Sequence, residues 1–201
     1  MARPRGFDEG RVIDAAMETF WRHGYEATST RELSQSTGLG PSSLYNAFGD
    51  KRQLYVRALR RYCETATAHQ VELLQRPGPV IDRLRALMVE AIDADLSPDG
   101  RRGCFAVNSA IESAALDPEI RAAVRENFGR VEDELTAVLA FGQASGEVRT
   151  DGEARALARQ VQGAYYGLRV LARVQDDRAA LLASAELTLA ALRSTQRAQL
   201  A

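Results

Sequence analysis

Lysine is almost missing from this chain: Lys51 is the only one, and arginine supplies the rest of the 26 basic side chains. Histidine and cysteine are as scarce, with two of each (His23, His69, Cys63 and Cys104). Two cysteines do not make a disulfide scaffold. Without a CxxC pair, and with so few histidines, there is little to build a zinc site or a His-based catalytic centre. No metal and no cofactor is therefore expected. No apolar run approaches the roughly 18–20 residues needed to span a bilayer, and no signal-like apolar stretch follows Met1. A cytoplasmic chain with no membrane partner is the expectation. An excess of one charge is missing too: 26 basic side chains face 27 acidic ones, which excludes a bulk polycation of the histone kind. There is no HExxH, no Gly-rich phosphate loop and no plausible Ser-His-Asp set, so nothing points to an enzyme. The acids Glu132, Asp133 and Glu134 read most simply as a solvated helix face.

What is present is 201 residues, 45% apolar and 26% charged, enough for one domain or two small ones around a real core. The charge is segregated. Residues 1–62 hold ten basic and seven acidic side chains, and the remainder is acidic. A basic amino-terminal third suggests a part that meets a polyanion, although solvated charge also segregates this way by chance and a motif is needed beside it.

β-branched residues are sparse and no segment alternates at any length, so the chain is predicted to be all-α, with about nine helices. Val12, Ile13, Ala16, Met17 and Phe20 share a helical face, giving a first helix over about 8–23, with Gly24 as its stop. Ser29-Thr30-Arg31-Glu32 has the form of a capping box and opens a short helix over 30–37. Pro41 suits the first turn of a third helix, to about Ala47. Asp50 caps a long fourth one, over about 51–76. Arg76-Pro77-Gly78-Pro79 is the strongest break in the chain. Beyond it, the apolar stripe Val80, Ile81, Leu84, Leu87, Met88, Ala91 and Ile92 predicts a helix ended by the Ser97-Pro98-Asp99-Gly100 loop. Further helices are predicted over about 103–115, from the Asp117-Pro118 cap to a stop by Ser145-Gly146, and over about 152–174 and 177–194. The domains expected are residues 1–50, a connecting fourth helix, and 77–201.

Two short helices joined by a Gly-containing turn, after a longer support helix, describe a helix-turn-helix. The third helix must lie in a major groove about 12 Å wide. Gly40, Pro41, Ser42 and Ser43 are small enough to let its backbone approach a duplex, while Leu44 and Phe48 anchor its other side. Tyr45 and Asn46 offer a phenol and an amide to phosphates or bases. Thr30 and Lys51 stand at helix starts, where free amides suit a phosphate. Arg3 and Arg5 sit in an amino-terminal arm that could reach an adjacent minor groove.

Residues 8–54 resemble the TetR family of transcriptional regulators. Glu26-Ala27-Thr28-Ser29-Thr30-Arg31-Glu32-Leu33 is similar to the family's entry into its second helix. Gly38-Leu39-Gly40-Pro41-Ser42-Ser43-Leu44-Tyr45-Asn46-Ala47-Phe48-Gly49-Asp50-Lys51 is similar to its turn and recognition helix. Pro41 and Ala47 depart from the usual polar or basic residue and aromatic at those places. The resemblance implies a homodimeric repressor with an amino-terminal DNA-binding domain and a larger helical domain that dimerises and takes a small organic effector. Its partner would be a palindromic double-stranded operator, released when the effector binds.

The remainder fits that expectation less specifically. The last two helices are rich in alanine and glycine, which permits close helix approach between two protomers or within one core. Phe105, Asn108 and Glu112, with Gln162, Tyr165 and Tyr166, are the candidate lining of an effector pocket. Arg102-Gly103-Cys104-Phe105 resembles a Gly-Cys segment of one branch of TetR-like proteins, in which a cysteine senses electrophiles or oxidants. Cys104 near a helix start, beside Arg101 and Arg102, fits such a thiol. The simpler reading is a buried cysteine acting as a small hydrophobe. The competing reading of the whole chain is a helical enzyme or interaction protein that carries a helix-turn-helix for other ends.

Overall fold

The computed structural model describes residues 7–98 and 100–194, so Arg3 and Arg5 lie outside the described residues. Asp8 opens α1 (Glu9–His23): its carboxylate accepts the amides of Gly10 and Arg11 at 2.8 and 3.3 Å. Ser29 and Glu32 form the expected reciprocal capping box at the head of α2 (Thr30–Thr37). Gly38 then stops α2 in the left-handed conformation, φ 71° and ψ 9°, which a side chain would disfavour. α3 runs Pro41–Phe48 and α4 Lys51–Gln75. After the Pro-Gly-Pro break come α5 (Val80–Leu96), α6 (Phe105–Glu112), α7 (Pro118–Ala144), α8 (Ala154–Leu171) and α9 (Arg178–Ala190). The described residues are thus all-α. Their one extended pairing is an isolated antiparallel bridge between Val148 and Arg193. α6 is shorter than predicted at both ends: Gly103 adopts φ 66° and delays its start to Phe105, and the chain passes into a turn after Glu112.

The chain folds as two compact units that interleave in sequence. The first comprises residues 1–65 and 105–125, the second 66–104 and 126–201. A division at residues 50 and 77 follows chain order and misses this: α6 and the start of α7 belong with the helix-turn-helix. Aromatic packing explains why. Phe105 is buried edge-on to Tyr55 and Tyr62, with ring centroids 5.4 and 5.6 Å apart, and Tyr55 is edge-on to Phe20 at 5.0 Å. Trp21 closes the cluster against Tyr62 at 4.8 Å. Such pairs add to the area they bury. The Tyr55 hydroxyl shares a 2.8 Å hydrogen bond with Ser109 Oγ, and burial pushes its pKa up to about 12.

The core of the second unit is built from the end of α4 (Leu73, Leu74) and the inner faces of α5, α7, α8 and α9. Glu147, in the turn after α7, caps α5 from 67 residues away: its carboxylate accepts the amides of Val80 and Ile81, each at 2.8 Å. Gly142 makes this turn possible. A Cβ there would stand 2.5 Å from Val148 and 3.3 Å from Val80. Deeper in the same unit, Arg169 makes a two-pronged bond to Asp95, with both distances 2.8 Å and only 2% of the Asp95 side chain exposed.

Candidate nucleic-acid interface

α3 owes its position to Leu44 and Phe48, both buried, which pack it against a core that also holds Leu33 of α2. This leaves Pro41, Ser42, Ser43 and Asn46 exposed on the other face, with Gly40 exposed just before them. No side chain caps the amino terminus of α3. The first turn of a helix carries unsatisfied N–H groups and a partial positive charge, so an uncapped, exposed start lined by hydroxyls is chemically suited to phosphate and base acceptors. A Cβ added at Gly40 would meet nothing within 4 Å, so internal packing does not require a glycine there.

The structure brings together two residues that sequence reasoning treated separately. Thr30 Oγ1 and the Tyr45 hydroxyl share a 2.8 Å hydrogen bond. The start of α2 is thereby locked to the exposed edge of α3, and both side chains are half-buried rather than free. Lys51 is also held. Its ammonium donates to the Glu26 carbonyl at 3.4 Å and lies 4.6 Å from the centre of the Tyr25 ring. The amides beside it are not all free as expected, because Asp50 takes the Gln53 N–H at 2.8 Å. Tyr25 and Glu26 were missed as support for the lysine; the only sign of them in the sequence is their place in the turn after Gly24.

The basic excess of the first 62 residues largely disappears on folding. Arg61 pairs with Asp14 at 3.0 Å, and Arg60 with Glu119 at 3.0 Å. Arg52 donates to Asp117 at 2.9 Å and to Glu119 at 3.1 Å. Counted over the first compact unit, twelve basic side chains face eleven acidic ones.

Asp117 also caps α7, accepting the amides of Glu119 and Ile120 at 2.9 and 3.2 Å. The Arg52 hydrogen bond, with these amides, holds its carboxyl at about 2. An ordinary aspartate titrates near 3.9. A carboxyl depressed in the folded state stabilises the fold above its unfolded pKa and loses that contribution as pH falls. Denaturant midpoints are therefore expected to drop between pH 4 and pH 2, and Asp117→Asn to flatten that drop. An unchanged acid limb in the variant would show that the pair does not couple to folding.

The six residues expected to line one pocket divide between the units. Phe105 is taken up by the aromatic cluster, and Glu112 accepts the Glu26 amide at 3.0 Å, with Asn108 half-buried on the same helix. The other three lie in the second unit. Tyr165 is buried and accepts from Gln70 Nε2 at 3.1 Å, and its phenol is pushed up chiefly by burial. Gln162 donates to the Phe128 carbonyl at 2.8 Å, and Tyr166 packs on Phe128 at 4.6 Å. Gln70 Oε1 is buried without a hydrogen-bond partner. Cys104 is buried and Arg101 is committed to Asp176 at 2.5 Å, which favours the packing role for that thiol. Among the described residues no group of acids, histidines and cysteines could hold a metal ion, and no helix is long and apolar enough to cross a membrane.

Residues 12–58 match the bacterial regulatory proteins of the tetR family, and residues 80–187 match the tetracyclin repressor-like carboxy-terminal domain. The chain belongs to the TetR family. It is 32% identical to the HTH-type transcriptional regulator YezE of Bacillus subtilis over 96% of this chain and all of that protein. It is 30% identical to the HTH-type transcriptional repressor ComR of Escherichia coli, over 85% of this chain and 82% of ComR. A cysteine-substituted form of the TetR-family regulator CifR, solved with 26-bp double-strand operator DNA, superimposes with a TM-score of 0.83 at 28% identity, covering 95% of this chain and all of that one. As a TetR-family member the chain is a helix-turn-helix, DNA-binding transcriptional regulator, and the helical-enzyme reading falls.

Proposed function

We propose that this TetR-family regulator is a homodimeric repressor that holds a palindromic operator through α3 and releases it when a small organic molecule binds the second unit. The observation that carries the reading is the exposed, uncapped start of α3, backed by the Thr30–Tyr45 bond. CifR is a regulator of this fold bound to operator DNA, and ComR is a repressor, which supports both the partner and the sign of regulation. Support for the dimer comes from α8. Gly163, Gly167 and Val170 are exposed and follow the spacing of a single helical face, Val174 is exposed in the turn just beyond the helix, and Leu187 of α9 is 73% exposed. Small residues with apolar ones between them suit close helix packing across a two-fold axis. For the effector, Tyr165, Gln162 and the unmet acceptor of Gln70 supply polar groups in the second unit, whose core is mostly apolar apart from such buried polar groups and the Asp95–Arg169 pair. The ligand needs to favour the DNA-free state by a few kcal/mol to empty the operator.

The test is a salt titration of binding to a palindromic fragment from beside the chain's own gene. Affinity should fall steeply, with a log–log slope of about −0.9 for each phosphate neutralised. Lys51→Ala should reduce the magnitude of the slope by about one such unit, and Arg3→Ala should act in the same direction. A slope untouched by either change would overturn the contact assignment, and absence of salt-dependent binding would overturn the function.

A further inference from the structure

We infer that Glu112, the last residue of α6, is a positioning residue for operator binding: it sets the turn that holds Lys51. The chain of contacts is continuous within the first unit. Glu112 Oε1 accepts the Glu26 amide at 3.0 Å. The carbonyl of the same Glu26 accepts Lys51 Nζ at 3.4 Å, and the neighbouring Tyr25 ring lies against that ammonium. One residue of the α1–α2 turn is thus gripped at its N–H by a carboxylate and at its carbonyl by the lysine.

A second, independent feature shows that the carboxylate is seated and not merely nearby. Gly24 leaves a notch that Glu112 occupies: a Cβ on Gly24 would stand 3.1 and 3.2 Å from the two carboxylate oxygens. Gly24 has φ 83°, a conformation that side chains rarely adopt, so the turn geometry favours glycine where a side chain would also crowd the Glu112 carboxylate. The turn so fixed leads directly into Ser29 and Thr30, and Thr30 carries the bond to Tyr45. Glu112 therefore stands behind both the lysine and the start of α2. α6 acts as a brace of the DNA-binding unit, a role different from pocket lining.

This inference rests on the DNA-binding reading, and the sign of an effect separates the two. Glu112 is an anion in a unit that must approach phosphates, so removing its charge alone should strengthen DNA binding. Loss of the brace should weaken it. Glu112→Gln keeps an acceptor for the Glu26 amide and is expected to bind operator as tightly as the parent or more tightly. Glu112→Ala is expected to bind about tenfold more weakly, with a salt slope reduced as in Lys51→Ala. In the Lys51→Ala background the cost of Glu112→Ala should be smaller, because the part of it that runs through the lysine is already lost, while the part that runs through the start of α2 remains. Amide exchange at Glu26 in the DNA-free protein should quicken in Glu112→Ala and stay slow in Glu112→Gln. Tighter binding by both variants, fully additive losses, or an unchanged Glu26 amide would overturn the inference. If the parent protein fails to bind an operator, the functional reading has failed instead, and the exchange result still reports on the brace.

Discussion

Ser43→Glu is expected to lower operator affinity at least about 100-fold while leaving the protein as stable as before or slightly more so. The two effects have opposite signs for one physical reason. Ser43 is exposed in the first turn of α3, where no side chain satisfies the helix start. A carboxylate in the first turn of a helix is favourable to the fold by roughly 0.3–1 kcal/mol. The same carboxylate takes the place the operator phosphates would fill and opposes their charge. A hundredfold loss corresponds to about 2.8 kcal/mol, within the several kcal/mol that a misplaced like charge costs at an interface. Binding by electrophoretic shift and unfolding by circular dichroism read the two halves separately. Unchanged affinity would remove α3 from the DNA. A large loss of helix would mean that Ser43 serves the fold.

Asp95→Ala carries the largest expected effect on stability, about 3–5 kcal/mol. The Arg169 guanidinium is 10% exposed, and it would lose both of its 2.8 Å bonds to the carboxylate while remaining inside the protein. Its 3.2 Å hydrogen bond to the Gly103 carbonyl does not neutralise its charge. Breaking one side of a buried pair costs far more than replacing both sides with apolar groups of similar volume. Asp95→Leu with Arg169→Met should therefore recover most of the loss. Denaturant unfolding of the two variants, compared with the parent, decides the matter. A single variant within 1 kcal/mol of the parent would show that water reaches this pair.

Local signals in the sequence carried most of the fold. Ser29 with Glu32, Gly38, Pro41 and the Asp117-Pro118 step each act within a turn of their own position, so helix ends could be read from them without tertiary knowledge. The anchors Leu44 and Phe48 followed from spacing alone, and with them the exposed face of α3. Partners far apart in sequence were not legible. Periodicity states which face a residue occupies and not what meets it, so Thr30 with Tyr45, Arg52 with Asp117 and Asp95 with Arg169 emerged only from the structure. The same limit explains Glu112 and Phe105. Their helix was assigned to the second domain by chain order, while aromatic packing and the Glu26 amide hold it in the first unit. Charge counting reached the right partner class but overstated the excess, because Asp117 and Glu119, distant in sequence, return to pair with Arg52 and Arg60.

Methylation interference on the operator tests most directly whether α3 enters the major groove. Guanine N7 faces that groove, and a methyl there blocks a helix without touching phosphates. Two patches of N7 interference are predicted, about 34–36 Å apart along the duplex and related by its two-fold axis. Strong operator binding with no N7 interference in either half-site would contradict the account.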